Sequence, residues 1–184
     1  MSDSEKPGRY PRSANSLIAS LVVTLLVVAA FVVFRAVTRD NQEIEPEAVD
    51  YLETVEQIQG SGARVAYPRE LPEGWKATSV AFTPGERGAF GLSMLTDDGT
   101  FVGLRQEDEG VDDLLETYVD EETVEGETVD IDSQIARTWE SYSDEGGDRA
   151  YATELGEDTL LVFGSADEDD LRLLIESLTT EPVS

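Results

Sequence analysis

Histidine and cysteine are absent from this 184-residue chain, and lysine occurs only at positions 6 and 76. Without cysteine there is no disulfide, no thiolate nucleophile or metal ligand, no iron–sulfur cluster and no cysteine-linked lipid anchor. Without histidine, Ser-His-Asp chemistry, the usual zinc sites and the commonest general base near neutral pH are removed. Lys76 is the one lysine outside the N-terminal tail, so Schiff-base chemistry has a single candidate. No phosphate-cradling glycine loop is present, and Gly60-Ser61-Gly62 reads as a linker. Carboxylate pairs, Tyr or Lys bases and oxygen-ligand metals are what remains. These absences point away from an enzyme: no catalytic residue, metal ligand set or cofactor is assigned.

Positive charge is also scarce where most of the chain lies. Residues 41–184 hold 8 of the 13 basic and 37 of the 40 acidic residues, a net charge of −29. Self-repulsion of that size weakens a compact state and is relieved by salt. Nucleic acid is excluded as a partner, because its affinity comes from neutralising phosphates. Acid-rich, lysine-poor surfaces also suit high-salt surroundings, so the charge can describe habitat as well as ligand.

The run Leu17 to Phe34 holds 18 residues without a charge, and Ser20 and Thr24 are its only polar members. At about 1.5 Å per residue it spans roughly 27 Å, close to a hydrocarbon core of about 30 Å. Lys6, Arg9 and Arg12 precede it; Arg35 and Arg39 follow; then come Asp40, Glu43, Glu45, Glu47, Asp50, Glu53 and Glu56 before Arg64. This asymmetry predicts a single-pass anchor with a cytoplasmic N-terminus and residues 41–184 outside the cytoplasm. A cleaved signal would have a core of about 7–15 residues and a small-x-small site. The segment ends Val32-Val33-Phe34-Arg35-Ala36, which suits cleavage poorly. The expected partner of Leu17–Phe34 is the lipid bilayer, with an envelope protein or glycan as a further candidate for the domain beyond.

The expected organisation is a cytoplasmic tail (1–13), a transmembrane helix (14–37), a juxtamembrane linker (38–62), an extracytoplasmic domain (63–180) and a short tail (181–184). Within the linker, Val49, Leu52 and Val55 give a weak helical stripe over Pro46–Gln57. In the domain, Arg64–Tyr67 reads as an edge strand ended by Pro68. Alternation predicts strands over Lys76–Thr83, around Phe90, Leu92 and Met94, and over Thr100–Gln106, with Asp98-Gly99 as a two-residue hairpin turn. Val111, Leu114, Leu115 and Tyr118 form one helical face. Further strands are expected at Glu127–Ile131, Gln134–Tyr142, Arg149–Leu155 and Thr159–Phe163. A last helix carries Leu171, Leu174, Ile175 and Leu178, with Ser165 and Glu168 as its capping box and Asp167 to Asp170 at its positive end. The fold class is α+β: an antiparallel sheet of about six or seven strands with two packed helices.

The anchor, then Leu71-Pro72-Glu73-Gly74-Trp75, then the hairpin Asp98-Gly99-Thr100-Phe101-Val102-Gly103-Leu104-Arg105-Gln106, then Val162-Phe163-Gly164-Ser165 before an acidic-start helix, resemble an actinobacterial envelope family. That family is catalogued as domain of unknown function 4245. The resemblance covers roughly residues 17–180 and implies a membrane-anchored, extracytoplasmic domain. It implies no activity and no catalytic residues to carry over.

Each candidate residue has an ordinary reading beside the functional one. With 37 acids in 144 residues, a carboxylate pair at glycosidase spacing arises by chance, so a small carboxylate-dependent hydrolase is an alternative without a specific signal. Asp167–Asp170, Asp112-Asp113, and Asp130 with Asp132 could offer oxygen ligands to calcium, but none fits the D-x-D-x-D-G loop; a cation-responsive domain is the other alternative. Trp75 and Tyr67 flank a proline-containing loop, where aromatics either stack on ligands or plug the sheet end. Trp139 reads as core. Arg105 and Arg137 are rare cations that either pair with carboxylates or hold an anion, and ion pairing is the commoner use. Trp75, Arg105 and Gln106 are the ligand-binding candidates.

Overall fold

The computed structural model describes residues 47–85 and 87–183, together with Thr24 and Val28. The apolar run Leu17–Phe34 otherwise lies outside the described residues, as does the tail 1–13. Among the described residues no helix is long and apolar enough to cross a membrane.

The weak stripe of the juxtamembrane stretch does form a helix, α1 (Tyr51–Gly60), with a later start than the stripe suggests. The onset is set by Asp50, whose carboxylate accepts the Glu53 amide proton at 3.3 Å and caps the helix there. Tyr51, Val55 and Ile58 are buried, and the Tyr51 hydroxyl donates to the Pro68 carbonyl at 2.8 Å. Just upstream, the Val49 amide donates to the Ala77 carbonyl at 2.9 Å. The compact unit therefore includes α1, ahead of Ala63. A stripe too sparse for a stand-alone amphipathic helix suffices when only three side chains need to reach the core.

Among the described residues ten strands and two further helices follow. They are β1 (Tyr67–Pro68), β2 (Lys76–Thr83), β3 (Ala89–Leu95), β4 (Phe101–Glu107), α2 (Val111–Tyr118), β5 (Val124–Glu125), β6 (Val129–Asp130), β7 (Thr138–Ser143), β8 (Arg149–Leu155), β9 (Asp158–Gly164), α3 (Glu168–Ser177) and β10 (Leu178–Thr179). The architecture is α+β, with more strands than the six or seven expected and three described helices in place of two. The main sheet is antiparallel with the order β2-β3-β4-β9-β8-β7-β5, and β6 also pairs with β7. β1 and β10 form a separate antiparallel pair. The extra strands are two-residue pieces, too short to leave an alternating pattern. β7 begins at Thr138 and not Gln134, and β1 begins at Tyr67 and not Arg64, with Pro68 as its last residue.

The β3–β4 hairpin closes through Thr96 and Thr100, with Asp97, Asp98 and Gly99 between them. Gly99 has φ of 79°, and no non-glycine residue has positive φ among the described residues. The turn is thus a three-residue loop with glycine alone in the left-handed position, not the two-residue form expected of Asp-Gly. α3 is capped by Asp167, whose carboxylate accepts the Asp170 amide at 2.9 Å. Ser165, the expected cap, instead accepts the Phe101 amide at 3.2 Å and ties the helix approach to β4.

The sheet buries side chains on both faces. One face carries Phe90, Leu92, Met94, Val102, Leu104, Trp139, Tyr151, Leu160 and Val162, packed with α1 and with Leu171, Leu174 and Ile175 of α3. The other carries Tyr142, Ala150, Ala152, Leu161 and Phe163 under Leu114 and Leu115 of α2. Central β9 is buried on both sides from Leu160 to Phe163, which is why that stretch is apolar throughout. α2 has only eight residues, so its cover stops short of β2 and β3. On that side Ser79 and Ala81 are exposed, and Ser93 and Leu95 are half-buried.

Candidate functional site

The partly uncovered face is built from small residues and one cation. Antiparallel register sets Ala81 beside Gly91 and Gly91 beside Arg105, so the three lie in one row across β2, β3 and β4. A Cβ on Gly91 would collide with Nη1 of Arg105 and stand 2.7 Å from its Cζ and 3.2 Å from its Nε. The guanidinium thus lies across the glycine, in space that any other residue would occupy. Its Cζ is also 4.5 Å from the centroid of the Tyr118 ring, a cation–π contact. Glycine weakens a strand interior and often marks a close approach by another group; here the approaching group is a cation of the neighbouring strand.

The same device recurs one step along. A Cβ on Gly103 would meet the Phe163 ring at 2.5 Å, so that ring lies over β4. Phe163 packs edge-on to Phe101 at 5.8 Å and tilted against Tyr118, also at 5.8 Å. Phe101, Phe163, Tyr118 and Arg105 form one continuous layer over this face. The Tyr118 hydroxyl donates to Glu107 Oε1 at 2.5 Å. Burial raises the Tyr118 hydroxyl above its usual value, the Glu107 bond and charge add to the rise, and Arg105 opposes it. Among the described residues the Arg105 side chain makes no ion pair and no hydrogen bond; its one such contact is the cation–π contact with the Tyr118 ring. The ion-pair reading of Arg105 is corrected accordingly: Glu107, its neighbour on the strand, is engaged by Tyr118. Arg137 does pair, with Asp130 at 3.7 Å, and both are exposed. Lys76 and Arg149 also lack ion pairs among the described residues, but neither has a fitted seat.

Gln106, adjacent on β4, points to the opposite face and is 4% exposed. Its Oε1 accepts the Ala66 amide at 2.8 Å, and its Nε2 donates to the Arg64 carbonyl at 2.9 Å and to Asp158 Oδ2 at 2.7 Å. Both its amide hydrogens and one acceptor position are spent inside the fold, fastening residues 64–66 to the sheet. It borders a cleft of about 200 Å³ with Phe82, Phe90 and Asp158. Trp75 is half-buried against the core at the start of β2, far along the strand from Arg105. The structure therefore brings none of Trp75, Arg105 and Gln106 into one site. Trp139 is fully buried, and its Nε1 donates to the Ala136 carbonyl at 3.1 Å.

A wider groove of about 370 Å³ lies beside the start of α2, bordered by Thr138, Glu140, Glu154 and Thr159. Tyr142 donates to Glu140 at 2.9 Å, and burial together with that carboxylate raises the Tyr142 hydroxyl well above its usual value. Among the described residues no aspartate or glutamate is buried, and no group of three or more acidic side chains is placed to hold a metal ion. Asp112-Asp113, Asp130 with Asp132, and Asp167–Asp170 stay on separate elements.

Sequence reasoning missed Gly91, Tyr118 and Phe163 as parts of the Arg105 seat. The signal was available: with Thr96 opposite Thr100, counting back along the hairpin sets Gly91 opposite Arg105. Tyr118 of the layer comes from α2, while Phe101, Arg105 and Phe163 come from Phe101-Val102-Gly103-Leu104-Arg105 and Phe163-Gly164, two of the segments that carried the family resemblance. No curated protein matches the chain. The family model described as "Protein of unknown function (DUF4245)" matches residues 9–178, nearly the whole length, and the chain belongs to that family.

Proposed function

We propose that this protein is a non-enzymatic, membrane-tethered binding module of the cell envelope, anchored through Leu17–Phe34, with the open face of β2–β4 around Arg105 as its contact surface. The observation that carries the reading is the fitted seat of Arg105: a guanidinium laid across Gly91 and under Tyr118, without an acidic partner among the described residues, in a region of net charge −29. An arginine without an acidic partner keeps its N–H donors for a second molecule. No aspartate or glutamate among the described residues is fully buried, and the two that partial burial raises, Asp148 and Asp170, border none of the clefts described, which favours binding over carboxylate hydrolysis.

The chain has no cysteine, so Ser79→Cys gives a single thiol on the exposed part of this face. In intact cells expressing the full chain, a membrane-impermeant maleimide is expected to label it before lysis. Labelling only after lysis overturns the topology. A photo-crosslinker attached at the same position is expected to give a discrete adduct that Arg105→Glu removes and Lys76→Glu retains. An adduct indifferent to Arg105, or none at all, overturns this face as the contact surface.

A further inference from the structure

We propose that the Arg105 seat receives a single carboxylate, presented by a small acid or by a peptide; this rests on the reading of the β2–β4 face as a binding surface. The geometry restricts the approach. Nη1 and Cζ of the guanidinium occupy the space over Gly91 where a Cβ would stand, and Cζ lies 4.5 Å from the Tyr118 centroid, so both ends of the seat are filled by the protein itself. Edge donors in a plane match the two coplanar oxygens of a carboxylate, the fork-to-fork arrangement that makes arginine a selective carboxylate ligand. A tetrahedral oxyanion sets further oxygens outside that plane, where one guanidinium has no donor to meet them.

Charge points the same way. The carboxylate nearest along the strand, Glu107, is held by the Tyr118 hydroxyl at 2.5 Å and does not close on Arg105. The net charge beyond the immediate contact repels an anion, since residues 41–184 carry −29. A dianion doubles that repulsion while gaining contact with the same single guanidinium. A monovalent carboxylate is therefore the ligand class that the site admits. An unusual salt response follows. Long-range repulsion is screened beyond about 10 Å at about 0.1 M salt and about 3 Å at about 1 M, whereas the direct contact lies within those distances. Binding should hold or strengthen with sodium chloride, the reverse of a surface ion pair in a cationic protein.

The test is a titration of the full-length, isotope-labelled chain in detergent micelles with acetate, acetamide and inorganic phosphate, followed at the Arg105 Nε–H and Gly91 amide resonances. Saturable shifts with acetate, none with acetamide and weaker binding of phosphate are expected. Arg105→Gln should weaken acetate at least about tenfold, the scale of one charge-assisted bond. Lys76→Gln, which changes net charge equally but lies outside the seat, should leave it intact. Acetate binding unchanged in Arg105→Gln, or phosphate binding as tightly as acetate, overturns the carboxylate assignment. Either result can stand with the Arg105-dependent crosslink at position 79, whose loss alone would overturn the binding-face reading.

Discussion

At the scale of single residues, the two strand glycines on the open face invite opposite outcomes on substitution. In Gly91→Ala the new methyl meets the mobile end of Arg105, which can swing aside. The cation–π contact is lost, at about 0.5–2 kcal/mol, but alanine costs a strand less backbone entropy than glycine by about 0.5–1 kcal/mol. Stability by denaturant unfolding should stay within about 1 kcal/mol of the parent, while the Arg105 Nε–H resonance loses its ring-current shift from Tyr118. In Gly103→Ala the methyl meets the Phe163 ring, which is wedged between Phe101 and Tyr118 and has no free path. Overpacking of this kind costs about 1–3 kcal/mol, and the unfolding midpoint should fall accordingly. A midpoint for Gly103→Ala equal to that of Gly91→Ala would mean that the aromatic layer yields, and the fitted seat would lose its rigid wall. The same residues mark what a sequence reader can see. Arg105 stood out because cations are rare; its neighbours did not, because glycine in a strand looks like a weakness and Tyr118 looks like one more member of a helical stripe. Only the register joins them, and register becomes readable once the hairpin is counted from Thr96 and Thr100.

At the scale of elements, strong periodicity was legible and short pairings were not. β2 was expected at its observed bounds, and α2 and α3 follow from their apolar stripes, because each repeats its pattern over two turns or more. β5, β6 and β10 have two residues each and exist only by virtue of the strands they meet. α1 is the instructive case. Its stripe is weak, yet Val55 is fully buried, and the far end of the helix holds the C-terminal segment: Gln59 donates to the Glu181 carbonyl at 3.0 Å and accepts the Val183 amide at 2.9 Å. Arg69 pairs with Glu181 beside it, and the Tyr67 hydroxyl donates to the Glu181 carbonyl at 2.8 Å. Helix, β1 and the 181–183 segment form one clasp over the α3 face. A chain beginning at residue 63 should therefore expose the apolar surface that α1 covers and melt without a cooperative transition by circular dichroism. Ile58→Ala in the full chain should cost about 2–5 kcal/mol, the range for truncating a buried aliphatic side chain. A cooperative transition at the parental midpoint for the 63-start chain would show α1 to be an appendage.

For the whole molecule, the contest is between a few exposed ion pairs among the described residues and the repulsion among 40 acids. Arg69–Glu181, Arg87 with Asp108 and Glu109, Arg137–Asp130 and Arg172–Glu168 are all at least partly solvated, and such pairs contribute about 0–1 kcal/mol each. Salt weakens these few attractions and screens a much larger number of repulsions, so the melting temperature should rise with sodium chloride. Acid should act in the same direction at first. Burial raises Asp148 above its ordinary value of 3.8, with Asp144 adding to the rise; burial likewise raises Asp170, with Asp167, Asp97, Asp98 and Asp169 adding. A carboxylate whose folded value lies above its unfolded value binds more protons in the native state. Its ionisation disfavours the fold, so stability falls as the pH rises through the raised value and is regained on acidification toward 3.8. Melting curves at low salt should accordingly shift upward from neutral pH to the upper edge of the carboxylate range, and the shift should shrink at high salt, where the mutual repulsion is already screened. Calcium at matched ionic strength is the discriminating addition. If charge density alone governs stability, calcium and sodium differ only through general screening; a saturable increase at low calcium would require a specific site, and the tethered-binding reading would have to accommodate a cation-responsive one.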